Sequence, residues 1–142
     1  MMRSTPPASD APSRIGGWLW LLSLLLLAWQ PLNLAVAAAS ALNALALRGW
    51  PLGALLVLRV GVTGFGMAAA LAVLGLRPGG IALAKAAVAA SAMTEILVYS
   101  TPYFPNNRPP GDTMLYATVS LAIHAIWLVF LFRSARVRDT FS

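Results

Sequence analysis

Polar and apolar positions along this chain separate into long blocks instead of alternating. Residues 1–14 (MMRSTPPASDAPSR) mix Pro, Ser, Ala and isolated charges with no apolar period, a composition that buries nothing and predicts a disordered tail. From about residue 16 the chain turns apolar through Trp18-Leu19-Trp20 and a Leu-rich body to about residue 39. That length and aromatic entry predict a membrane-crossing helix, kinked at Pro31, which has no backbone donor to give. The milder stretch 40–47 (SALNALAL) is expected at the outer face of the bilayer. A second span covers about 50–76, opened by Trp50-Pro51 and closed by Arg77-Pro78-Gly79-Gly80, where Pro and paired Gly terminate a helix and set a tight turn.

The third span, about 81–99, is rich in Ala, so neighbouring backbones can approach it closely; it is expected to be the central helix. Residues 100–112 (STPYFPNNRPPGD) carry four prolines, two Asn and one Gly, which no helix tolerates, and predict an external loop. Tyr99, Tyr103 and Phe104 suit the headgroup level there. The fourth span, about 113–132, runs into a basic tail, 134–142. The expected fold is all-α: an integral membrane four-helix bundle over 15–133 with a short tail at either end. A competing reading stays open. Arg14, the short Leu-rich core, Pro31 and Ala35-Val36-Ala37 also resemble a cleavable signal peptide, which would leave three spans and an external mature amino terminus.

Composition agrees with hydrocarbon as the solvent. The 142 residues are 59% hydrophobic and 10% charged, with mean hydropathy +0.77, whereas soluble domains carry about a quarter charged residues. The net charge of +6 does not point to nucleic acid, because no basic face is interleaved with aromatics. The basic residues instead flank the apolar runs. Arg3, Arg14, Arg77, Lys85, Arg133, Arg136 and Arg138 lie on one side and Arg48 and Arg108 on the other, seven against two. The positive-inside bias then puts both termini in the cytoplasm. With no Cys in the sequence there is no disulfide framework and no thiolate ligand or nucleophile.

The two chain ends carry a family resemblance. Arg14-Ile15-Gly16-Gly17-Trp18-Leu19 and Phe132-Arg133-Ser134-Ala135-Arg136-Val137-Arg138-Asp139-Thr140-Phe141 resemble the YdgK-like bacterial inner-membrane family, domain of unknown function 2569 (DUF2569). The similarity lies in span number, in a Gly-Gly-Trp entry to the first span and in a basic stretch closed by Thr-Phe; the middle matches by hydropathy alone. The turn after the second span is less basic here than in the family pattern. The resemblance implies a bacterial inner (cytoplasmic) membrane location and transfers no catalytic residue.

Candidate chemistry rests on few residues. Arg59 and Glu95 are charges inside apolar runs, and at ~1.5 Å per residue they sit about 13 and 8 Å below the outer end of their spans. Antiparallel neighbours joined by a tight turn can pair them, and an intramembrane charge left alone is costly. His124, the one His, lies mid-way along the fourth span. It can bond a hydroxyl such as Thr94 or Thr118 across helices, or relay a proton to Glu95, since imidazole titrates near neutrality. Gly61, Gly64 and Gly66 lack the Lys-Ser/Thr of a phosphate loop; Gly66 with Ala70 has instead the spacing of close helix packing. Pro31, flanked by Gln30 and Asn33, is expected to be a kink that neighbouring helices satisfy. Arg133, Arg136 and Arg138 share roughly one face if the last helix continues, and serve as topology anchors or as contacts to anionic headgroups or a protein partner.

No constellation for nucleophilic, acid–base or metal catalysis is legible, and no cofactor is called for. The leading expectation is therefore a non-catalytic accessory or assembly subunit of a larger membrane complex. Its partners would be the lipid bilayer and a larger membrane protein, or a second copy as homo-oligomer. The alternative is a small oligomeric transporter or channel component in which Arg59, Glu95 and His124 line a polar path.

Overall fold

The computed structural model describes residues 15–104 and 111–141. The expected tail 1–14 and the loop residues around Arg108 lie outside them, as does the side chain of Arg136. Among the described residues the chain is all-helical, and four helical segments are long and apolar enough to cross a membrane: Gly17–Arg48, Trp50–Leu74, Gly80–Ser100 and Asp112–Arg133. This is the anatomy of a multi-pass membrane protein.

Helix α1 (Gly17–Leu24) passes through one π-helical turn (Leu25–Trp29) into α2 (Gln30–Arg48), a continuous run of 32 residues. The wide turn is explained by Pro31. Its ring would clash with a carbonyl one turn back, and the added residue opens that turn, so that the Gln30 N–H reaches the Leu25 carbonyl. Where the sequence predicts a first span to about 39 and a surface stretch over 40–47, the helix runs on to Arg48. That stretch is mostly Ala and Leu, good helix formers, and the first breaker is Gly49, at φ 70. Ala41 is buried there against Leu52 and Phe104.

Helix α3 (Trp50–Leu74) starts with Pro in its first turn and turns sharply into α4 (Gly80–Ser100). The Arg77 N–H donates to the Ala72 carbonyl and the Gly80 N–H to the Arg77 carbonyl. Gly79 adopts φ 81, and a Cβ on Gly80 would stand 3.0 Å from the Ala72 carbonyl oxygen. Ala84 and Ala87 let α4 pack closely, and it contacts both α3 and α5 (Asp112–Arg133). Extended backbone at Ser134 then ends α5, and α6 (Ala135–Phe141) lies against the bundle with Val137 only 2% exposed. The last helix therefore does not continue unbroken through the basic stretch: Arg133 belongs to α5, and residues 136 and 138 belong to α6.

Two apolar cores result. One holds the end of the bundle where Ile15 and Phe141 pack, with Leu19, Leu22, Leu26, Val73, Val88, Trp127 and Leu131 at its centre. There Trp18 meets Trp127 edge-on at 6.0 Å, which ties α1 to α5. The other, smaller core of Ala41, Leu52 and Phe104 holds the loop end, where the Arg48 guanidinium donates to the Pro102 carbonyl.

Candidate functional site: a polar cavity inside the bundle

Between these cores the helices bring polar side chains together. Gln30 and Asn33 of α2, Arg59 and Thr63 of α3, Ser91, Thr94 and Glu95 of α4, and Ser120 and His124 of α5 line a cavity of about 180 Å³. Within each helix these residues stand three or four apart, which puts them on one face. Nine of the thirteen lining residues are polar, far more than one register-fixing ion pair needs.

Arg59 and Glu95 face each other because α3 and α4 are antiparallel across a tight turn. Arg59 Nη2 stands 3.6 Å from Glu95 Oε1, with the two side chains 15% and 22% exposed. That separation is a charge contact beyond ordinary hydrogen-bond length, so the donors of the guanidinium and the lone pairs of the carboxylate retain capacity. The guanidinium also lies over the Phe104 ring, 5.0 Å from its centroid, a cation–π contact that holds it toward the loop end.

The inner part of the cavity is organised by Gln30. Its Nε2 donates to Ser91 Oγ at 2.8 Å, while its Oε1 is buried with no hydrogen-bond partner. Gly66 makes room for that oxygen: a Cβ there would stand 2.8 Å from it. Gly66 and Ala70 both lie on the buried face of α3, whereas Gly61 and Gly64 meet open space.

His124 Nδ1 lies 2.7 Å from the Ser120 carbonyl oxygen. A carbonyl only accepts, so Nδ1 carries the proton and, in the neutral ring, Nε2 carries the lone pair. The expected bond to a hydroxyl is not made, neither to Thr94 of α4 nor to Thr118, which shares α5 with His124. Thr94 donates to the Ala90 carbonyl and Thr118 to the Met114 carbonyl, each at 2.8 Å, since the carbonyl four residues back is the nearest acceptor for a hydroxyl in an apolar helix.

The cavity opens into a groove of about 500 Å³ between α2 and α5. Arg59, Glu95, Trp29, Asn33 and Ser120 are common to both, and Ser40, Tyr99, Phe104 and Tyr116 continue the groove toward the loop end. The structure thus brings Arg59, Glu95 and His124 to one cavity. Arg133 and Arg138 lie exposed at the opposite, terminal end. Among the described residues no group of three His, Asp or Glu could hold a metal ion.

The sequence reading does not single out Thr63, Ser91 or Ser120. Each stands four residues from Arg59, Glu95 or His124, on the same helical face, and that spacing is the signal that finds them. No family model matches the chain, and searches of curated proteins and of solved structures return no match either.

Proposed function

We propose that the chain is a small non-catalytic protein of the bacterial inner membrane, with both termini cytoplasmic, that binds a small polar solute within the bilayer and acts as a transporter or channel component. One observation carries this reading: an ion pair, a histidine, two amides and four hydroxyls surround a single cavity that widens toward the loop end. Polar groups at membrane depth are expensive and face partners, water or a substrate path. A purely structural pair needs no such surroundings. The excess of basic residues beside the termini and the resemblance of the chain ends to the YdgK-like family support the stated orientation and location.

A second reading, an accessory subunit of a larger complex, is favoured by the outward face of α3. Gly61, Gly64 and Ala68 are exposed there at spacings that allow another helix to approach closely.

Reconstituted vesicles separate the two. Osmotic swelling with urea, glycine and potassium acetate, followed by light scattering, should run faster than in protein-free vesicles for at least one solute. The gain should vanish in the Arg59→Ala/Glu95→Ala double variant. Swelling equal to that of protein-free vesicles for every solute overturns the transport reading, and a stoichiometric membrane partner retained in mild detergent would then carry the second.

A further inference from the structure

The polarity of the cavity specifies a ligand. Resting on the solute-binding reading above, we propose that the cavity takes a small zwitterion, with its carboxylate on Arg59 and its ammonium between Glu95 and His124.

Three observations lead there. The first is charge balance. Arg59 and Glu95 together make the site neutral, so a solute of net charge would strand an uncompensated charge in a low-dielectric interior, whereas a zwitterion leaves the total unchanged. The second is the looseness of the pair. One contact of 3.6 Å leaves both partners with unspent hydrogen-bonding capacity, and a molecule with its two charges a few bonds apart can engage each without separating them.

The third is the arrangement of acceptors. Arg59 and Glu95 line both the inner cavity and the wider groove, while Gln30 and His124 line the inner cavity alone. Gln30 gives one of its two amide hydrogens to Ser91 and turns its buried Oε1 toward Gly66, away from any solute. His124 directs Nδ1–H to the Ser120 carbonyl, so that in the neutral ring Nε2 carries the lone pair. Glu95 and His124 therefore offer acceptors at the inner end, as an ammonium requires, and the guanidinium, held over Phe104, stands toward the groove, as a carboxylate requires. A volume of about 180 Å³ that opens to the groove is ample for a small amino acid.

Thermal unfolding of the purified protein in mild detergent, titrated with glycine, L-alanine, acetate, ethylammonium and urea, tests this. Glycine or L-alanine should bind at least about tenfold more tightly than either single-charge solute. Charge-altering variants supply a readout that misfolding cannot imitate. Glu95→Gln leaves a net positive site and should reverse the order in favour of acetate; Arg59→Gln should reverse it in favour of ethylammonium. Acetate, ethylammonium or urea binding the unaltered protein as tightly as the zwitterions overturns the zwitterion inference while the solute-binding reading stands. So does an unchanged order in both variants. No binding of any of the five solutes overturns both.

Discussion

At the scale of single residues, Arg59 and Glu95 stabilise the bundle only together. Glu95→Ala leaves a guanidinium at membrane depth without its counter-charge, whereas Arg59→Ala/Glu95→Ala removes both charges. A sealed buried pair loses ~3–5 kcal/mol when one partner is removed; with side chains 15% and 22% exposed to a cavity, a smaller loss of about 2 kcal/mol is expected. Unfolding in mild detergent should therefore show the single Glu95→Ala variant less stable than the double, and equal losses would argue against coupling. Gly66 supplies a second comparison. Gly66→Ala must push Gln30 Oε1 aside and disturb the Gln30–Ser91 bond, at about 1 kcal/mol. Gly64→Ala meets nothing within 4 Å and should be neutral or slightly stabilising. Equal effects of the two would contradict the placement of Gln30. Arg59 and Glu95 are legible in the sequence because charges inside apolar runs stand out and a tight turn makes their helices neighbours. The partners of His124 are not, because a hydroxyl in a helix bonds its own backbone as readily as a neighbour, as Thr94 and Thr118 do.

At the scale of elements, breakers set the boundaries, and the legible ones are those that chain chemistry forces. Trp50-Pro51 starts α3, and Arg77-Pro78-Gly79-Gly80 separates α3 from α4. The run of α2 to Arg48 is harder to read, since 40–47 is mild in hydropathy yet helix-favouring, and hydropathy locates lipid and not helix ends. The helix α6 is hidden for another reason: its apolar contribution is only Val137 and Phe141, one turn apart among charges. The α3–α4 turn contains two testable conformations. Leu76 stands at φ 49, a left-handed conformation that costs a residue with a Cβ ~1–2 kcal/mol. Leu76→Gly should therefore raise the unfolding midpoint. Gly80→Ala places a Cβ 3.0 Å from the backbone oxygen of Ala72, which no side-chain movement relieves. It should lower stability by about 2 kcal/mol, within the range of overpacked close contacts, and an unchanged midpoint would contradict the close approach of α3 and α4.

At the scale of the whole molecule, two apolar cores enclose a polar middle while the outer surface stays greasy. Val36 and Ile126 are each 67% exposed, and such faces are stable only against lipid or another helix. Four helices long and apolar enough to cross a bilayer are legible in the sequence as four apolar runs. The cavity is not, because it needs α2 and α5, distant in sequence, to face each other across α3 and α4. Reporter fusions should place both termini on the cytoplasmic side; activity on opposite faces would contradict the proposed orientation.

The central claim, a water-reachable polar cavity at membrane depth, is tested most directly by thiol labelling, for which the absence of native Cys provides a clean background. Ser120→Cys and Thr63→Cys, both in the cavity lining, should react with a membrane-impermeant thiol reagent supplied from the loop side, because the thiolate that reacts requires water. Ile126→Cys, on the exposed apolar face of α5, should stay unlabelled. Cavity cysteines as inert as Ile126→Cys would contradict the account.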